Sequence, residues 1–364
     1  MESTTFSTSA PARKRAKVVE GSDSKETESL VEEQQKHHGA LGVTGMGSRS
    51  SRLGYSMTHG VALMTEESVY GELRLQEASQ SMAGVRVRQQ VNPLKARFQT
   101  QAPAPMWDKC FVDLNKALTV DVGCGGGRFD LLYAKRNPGL NVLGIDIREA
   151  LVNRGSKWSE VAGVQKNLHF AACNATVSAG NWIKSYNECD AGSGKVELVC
   201  AQFCDPHFKK KHRKRRIVQQ GFVEQLAREL TPGARVFLQS DVQELAEDMR
   251  NQFERFCGAH FHLDPGLHKG ADTLPCAANG APTAATDAGT GSVESGDKWR
   301  SSWARAGWLE ENPIGVPTER EVQTIGEGLP VFRDPVQTPI SLDKGHIVSY
   351  ISAKCETQQM YVFI

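Results

Sequence analysis

Five short apolar runs recur through the middle of the chain: 118–123 (LTVDVG), 140–146 (LNVLGID), 166–172 (KNLHFAA), 195–203 (KVELVCAQF) and 234–240 (ARVFLQS). Each is of strand length, and the stretches between several of them bring apolar residues back at helical spacing, which predicts helices near 127–137, 147–161, 215–230 and 242–257. Thr231-Pro232-Gly233 is a turn that ends one helix and opens the next strand. Strands alternating with helices predict an α/β domain built on a parallel sheet. Leu309–Arg333 is expected to carry a loop and a helix, and Ile347–Ser352 with Met360–Ile364 to supply the last strands. No repeat of 20–50 residues is visible, which excludes solenoids and propellers.

Two segments lack this pattern. Residues 1–84 mix Ser, Thr and Gly with both charge signs and are expected to be a disordered tail, with room for one short helix around Glu66–Ala78. Residues 268–298 hold almost no large apolar side chain and read as a disordered insertion within a domain spanning 85–364. A mean hydropathy of −0.41 and 34 glycines fit a normal core diluted by such segments. Lys plus Arg is 43 against 42 for Asp plus Glu, so any polyanion site must be a local concentration of charge. No apolar run reaches the roughly 20 residues a membrane span needs, and the N-terminal stretch lacks the apolar core of a secretory signal. A soluble intracellular protein is expected. Arg13, Lys14, Arg15 and Lys17 suit nuclear import or plain solvation; the Ser/Thr-rich start suits an organellar leader, against which Glu2 and the acids of 20–33 count. Nucleus and plastid or other organelle both stay open. Nine scattered cysteines without a C-x-x-C pair fit neither a disulfide framework nor a zinc ribbon, and no metal is expected; Cys200, Cys204 and His207 read as buried thiols and a neighbour rather than ligands.

The first run passes into Gly123-Cys124-Gly125-Gly126-Gly127, and the pattern is Asp121-x-Gly123-x-Gly125-x-Gly127. A glycine loop at a helix N-terminus brings backbone N–H groups close to a ligand. The dinucleotide fingerprint G-x-G-x-x-G fails, because Arg128 stands at its third glycine. The second run ends in Asp146, 19 residues after Gly127, where a carboxylate can accept hydrogen bonds from ribose hydroxyls. These features resemble S-adenosylmethionine-dependent methyltransferases of the Rossmann-like class, in which Asn174-Ala175, after the third run, would meet the adenine. Asn174 also suits a plain Asx turn.

The fourth run ends in Cys204-Asp205-Pro206-His207-Phe208, followed by Lys209–Arg216, where seven of eight residues are Lys or Arg. Abutting a strand's carboxyl end, such a block can neutralise several phosphates. This stretch, with VDVGCGGGRF, GIDIR, NATV and TEREV, resembles the tRNA (guanine-N(7)-)-methyltransferase family in its bacterial and plant organellar branch, from Arg86 to about Arg333. The resemblance implies a mostly parallel seven-stranded sheet with helices on both faces, S-adenosylmethionine as methyl donor, and tRNA as substrate. It implies Asp205 as catalytic residue. For the cofactor it implies Asp121, Gly123, Gly125, Asp146, Ile147, Arg148, Asn174 and Ala175. For the RNA and target guanosine it implies Lys209, Lys211, Arg213, Lys214, Arg215, Arg216, Asp241, Thr318 and Glu321, with Arg86 and Arg88 as further phosphate contacts. Many relatives carry proline at the place of Cys204 and glutamate at those of Asp121 and Asp146. Some relatives work with a non-catalytic subunit, so a partner subunit or a homodimer stays open. Rival readings are a methyltransferase of another RNA or of an amine, and a catalytically silent RNA-binding relative; a nicotinamide dehydrogenase would have no use for the basic block.

Overall fold

The computed structural model describes residues 68–75, 91–268 and 301–339. After a single-turn helix α1 (Trp107–Cys110), the chain alternates β1 (Leu118–Val122), α2 (Arg128–Arg136), β2 (Asn141–Asp146), α3 (Glu149–Ala162), β3 (Leu168–Ala172), α4 (Ala175–Asn187), β4 (Val196–Gln202), α5 (Gln220–Glu229), β5 (Arg235–Ser240) and α6 (Gln243–Cys257). A two-residue β6 (His262–Leu263), α7 (Glu319–Gly326) and β7 (Phe332–Gln337) complete it.

The seven strands form one sheet in the order β3-β2-β1-β4-β5-β7-β6. Five are parallel, β7 is antiparallel to β5, and β6 is antiparallel to β7. The chain leaves β1 toward β2 on one side and returns to β4 on the other, so a crevice opens outside the carboxyl ends of β1 and β4. The five central strands lie within a residue or two of their expected limits. The last two differ: they come from 262–263 and 332–337, while Ile347–Ser352 and Met360–Ile364 lie outside the described residues.

One face of the sheet is covered by α4, α5 and α6 through Trp182, Ile183, Phe222, Leu226, Met249 and Phe253. The other is covered by α2 and α3 through Phe129, Leu132 and Trp158. α4 was not expected from the sequence. Its buried positions, Ala175, Ser178, Ala179, Trp182, Ile183 and Tyr186, follow the helical repeat, but small residues fill half of the stripe and hide it from a search for large apolar side chains. Gly180 is part of that packing, because a Cβ there would stand 2.7 Å from Gln225 Oε1 of α5.

The expected tail also contributes to the core. Tyr70, Leu73 and Leu75 are fully buried with Phe129, Leu132 and Trp158, and the Tyr70 hydroxyl donates to the Pro317 carbonyl at 2.7 Å. In place of a helix over 66–78, the described part is a single 3-10 turn at Gly71–Leu73. Three buried apolar residues in eight are too few to show a period. The rest of the tail, with Arg13–Lys17, lies outside the described residues, as do Arg86, Arg88 and 269–300. The chain on either side of that segment is fixed next to α6: His268 pairs with buried Asp334, which also faces Arg250, and the Glu254 carboxylate accepts the Ser302 N–H at 2.7 Å.

Candidate functional site

The glycine loop starts where β1 stops. Gly123 and Cys124 both donate their N–H to the Ile145 carbonyl of β2, at 2.7 and 3.0 Å, which folds the loop over the neighbouring strand end. Gly125 and Gly127 sit at φ +57° and +75°, a left-handed conformation that side chains rarely adopt. At Gly127 and at Gly144 in β2 a Cβ would come within 2.6 and 2.5 Å of the Phe170 ring of β3, so part of the glycine pattern makes room for one buried aromatic.

Asp146 is buried at the end of β2 and accepts four hydrogen bonds: from the Gly125 N–H at 3.0 Å, and from the Arg148 N–H, Nε and Nη2, each at 2.8 Å. Ile147 is half-buried between them. Asp121 lies buried in β1, where burial, with a smaller contribution from the charge of Asp146, pushes its carboxyl up to about 7 against the pull of the Gln202 amide. Asp130, in the first turn of α2, is fully buried too and is pushed well above the ordinary carboxylate range by burial and by Asp121. Two carboxyl groups thus share a dry space beneath the loop, a situation favouring one retained proton. Asp130 went unnoticed in the sequence because it stands among the apolar residues of a helical turn, FDLLY.

Asn174 caps α4: its Oδ1 accepts from Thr176 N–H at 3.2 Å and Oγ1 at 2.8 Å, while its Nδ2 donates to the Phe98 carbonyl at 3.1 Å. The side chain is thereby spent on structure, and the group free to face a ligand is the N–H of Ala175, which at the first helical position has no intrahelical acceptor.

On the other side of the crevice, Phe203–Phe208 leaves β4 with Phe203 at φ +47° and His207 at +45°, two non-glycine residues in the left-handed region. The Phe203 N–H holds the Gln239 carbonyl of β5 at 2.7 Å, and Asp205 Oδ1 accepts the His207 N–H at 3.2 Å. Strain of this kind persists where the surroundings over-determine it, commonly at functional sites. The Asp205 side chain is 30% exposed; the His207 ring, 3.7 Å away, is buried, and burial holds its pKa below the ordinary value despite Asp205. Cys200 and Cys204 are buried thiols pushed upward by burial.

The basic block forms a 3-10 segment at Lys210–Arg215, with Lys209 half-buried at its start. Lys211, Arg213 and Lys214 are exposed, Arg215 is half-buried, and Arg213 pairs with Glu244 of α6 at 2.7 Å. Arg216 departs from expectation. Its side chain is 2% exposed and donates to the Pro206 carbonyl at 2.7 Å, Asp248 at 2.8 Å and Glu244 at 3.0 Å. It fastens the Asp205 loop to α6 and offers no surface to RNA. A run of like charges does not reveal which member turns inward.

Asp241 follows β5, its side chain 16% exposed and bound to Arg320 of α7. Thr318 and Glu321 form a capping box at the start of α7. The Glu321 carboxylate is buried and accepts from Gln239 at 2.9 Å, Asn312 at 2.8 Å and Arg333 at 2.7 Å. It cannot meet a substrate directly as the sequence led one to expect; it ties the late loop to β5 and β7. Next to it, Glu319 pairs with Arg128, which with Arg154 flanks the Trp158 ring beside the glycine loop. The first turn of α7 therefore touches both sides of the crevice.

Among the described residues no three His, Cys, Asp or Glu side chains converge as metal ligands, and no helix is long and apolar enough to cross a membrane. A family model described as "Putative methyltransferase" matches residues 115–265. A protein named tRNA (guanine-N(7)-)-methyltransferase from Synechococcus sp. (strain JA-2-3B'a(2-13)) is 36% identical over 276 residues, covering 74% of this chain and 94% of that one. One of the same name from Synechocystis sp. (strain ATCC 27184 / PCC 6803 / Kazusa) is 33% identical over 255 residues, covering 69% and 97%. A solved SAM-dependent methyltransferase from Thiobacillus denitrificans, in complex with S-adenosyl-L-homocysteine, aligns at 17% identity with a TM-score of 0.24, over 39% of this chain and 51% of that one.

Proposed function

Since the chain belongs to the tRNA (guanine-N(7)-)-methyltransferase family, we propose that it methylates nitrogen-7 of a guanosine in the variable loop of tRNA, with S-adenosylmethionine as donor. The observation that carries the reading is the pairing, along one edge of the sheet, of a glycine loop folded onto a ribose-type carboxylate with a strained Asp205 loop that leads into exposed cations.

The residues fit the donor. Ala175 offers a backbone N–H group, and Asp146 is an acceptor for a ribose diol once the Arg148 fork turns outward; the Gly125 and Arg148 N–H groups hold the carboxylate meanwhile. Burial and their mutual charge favour the protonated forms of Asp121 and Asp130, so these two residues shape the floor of the site without adding two full charges. The bound donor supplies an electrophilic methyl group on a sulfonium.

Nitrogen-7 of guanine carries a lone pair and no proton, so no general base is required. What the chain must do is align the acceptor and support the positive charge that grows on the purine. Asp205 does both, accepting a hydrogen bond from the guanine edge and favouring the cation, held in place by the His207 N–H. Asp241, at the end of β5, takes a second donor of the base. Lys209, Lys211, Arg213, Lys214 and Arg215 grip the phosphates around an exposed base, so specificity comes from RNA shape. Arg216 and Glu321 serve by positioning, the first for the Asp205 loop and the second for the late loop with Thr318. The cyanobacterial relatives support an organellar location over a nuclear one.

The test is methylation of undermodified tRNA with labelled donor, followed by mapping of the product. 7-Methylguanosine in the variable loop is expected; a different modified base, or none with cofactor still bound, would point to another RNA substrate or to a silent relative.

A further inference from the structure

Arg320 stands in the first turn of α7 and has no part in the reading given so far. Its Nε and Nη2 both donate to Oδ2 of Asp241, at 2.8 and 2.5 Å. The pair thus uses one edge of the guanidinium and one oxygen of the carboxylate. The opposite edge of Arg320, and Oδ1 of Asp241, have no hydrogen-bond partner among the described residues, and the Arg320 side chain is 41% exposed.

The backbone beneath Arg320 is held on both sides. Glu319 is bound to Arg128 at the glycine loop, and Glu321 is buried among Gln239, Asn312 and Arg333. An arginine fixed at one edge by a carboxylate has already given up much of its rotamer freedom, and the fork it still presents matches two oxygens of a phosphate. Its location suits that ligand. β5, which Asp241 follows, is tied to the Asp205 loop through the Phe203 N–H on Gln239. The cationic segment reaches this edge from the layer of α6, through Arg213 and Glu244, whereas α7 follows Val316, which packs in the layer of α2 and α3.

We propose that Arg320 is an RNA contact outside the basic block: its free edge binds a backbone phosphate next to the target guanosine, while its other edge holds Asp241 with Oδ1 turned to the base. The RNA backbone is then gripped from both helix layers, with Asp205 between. This rests on the reading of the protein as a tRNA enzyme.

The experiment is a titration of undermodified tRNA with the full chain between about 50 and 200 mM salt, comparing wild type, Arg320→Gln, Arg320→Lys and the triple variant Lys211→Ala/Arg213→Ala/Lys214→Ala. Arg320→Gln keeps an amide donor for Asp241 and removes the charge. It is expected to make the slope of log affinity against log salt shallower by about one, the value of one lost phosphate contact. Arg320→Lys retains the slope, and cofactor affinity is unchanged in both. The slope does not depend on the active fraction, so partial misfolding does not mask it. An unchanged slope in Arg320→Gln, with the triple variant flattened, overturns the role of Arg320 alone. Unchanged slopes in both overturn the RNA-facing reading itself.

Discussion

The two halves of the crevice handle charge in opposite ways. Under the glycine loop, at β1 and β2, carboxylates are buried, and the pair Asp121 and Asp130 lies in a space so dry that a proton is retained. At the ends of β4 and β5, Asp205 and Asp241 are part-exposed, the backbone is strained, and cations outnumber acids. In the proposed function the first half takes a nucleoside, a ligand that demands shape. The second is built for a polyanion, which demands charge that stays mobile and wet. Near-neutrality of the whole chain conceals this division.

Five variants would break or sharpen the contrast. The largest effect is expected inside the cationic half, at its one buried arginine. Arg216→Ala leaves the Pro206 carbonyl without its donor and cuts the Asp205 loop from the part-exposed Asp248 and Glu244 of α6, and should cost about 1–3 kcal/mol of stability in chemical denaturation. The triple variant at Lys211, Arg213 and Lys214 should leave the melting temperature nearly unchanged while weakening tRNA binding. Equal stability of the two would erase the distinction between anchor and RNA surface.

Next comes Asp205→Ala, with a fall in kcat of about a hundredfold or more and little change in cofactor affinity. Single-turnover methylation at the wild-type rate would remove Asp205 from the chemistry. In the other half, Asp146→Asn should act on binding instead. It removes a charged acceptor worth about 1.5–3 kcal/mol and weakens cofactor affinity by roughly ten- to a hundredfold by calorimetry. A normal cofactor Kd in this variant would show that the carboxylate serves only the loop.

The last contrast lies in the pH response of the buried pair. Asp121 titrates near 7 in the folded protein, against about 4 for an ordinary aspartate, so across that interval the folded state holds a proton that the unfolded chain has released. Stability therefore falls as pH rises from about 4 to 7. Asp130→Leu removes one member of the pair and should flatten that fall, raising the melting temperature more at pH 8 than at pH 5. A melting curve shifted equally at both values would mean that the charge of Asp130 does not raise the carboxyl of Asp121.

Much of this was legible in the sequence because it rests on local rules. The five parallel strands are continuous apolar runs, and the spacing of Gly123–Gly127 and Asp146 puts loop and carboxylate at the ends of adjacent strands, where the structure brings them into contact. What was not legible depends on partners far away in sequence. Arg216 looks like its neighbours until α6 folds beside it, and the acceptors of Glu321 and Asp241 come from β5, β7 and α7. The pairing of Asp121 with Asp130 appears only when α2 settles onto β1. Strands β6 and β7 escaped because one is two residues long and the other, FRDPVQ, places an arginine, a buried aspartate and a proline in a strand, which propensity disfavours.

The anchoring of the chain on both sides of residues 269–300 has a different kind of consequence. The contacts of Arg250 and Glu254, one helical turn apart on α6, fasten the points where the chain departs and returns. With both points fixed by the folded domain, the length of what joins them is almost decoupled from the catalytic edge. Doubling the length of a connection between fixed ends costs only about 0.6 kcal/mol in closure entropy, so this is a position where sequence can be gained, lost or exchanged over evolutionary time while the crevice stays as it is.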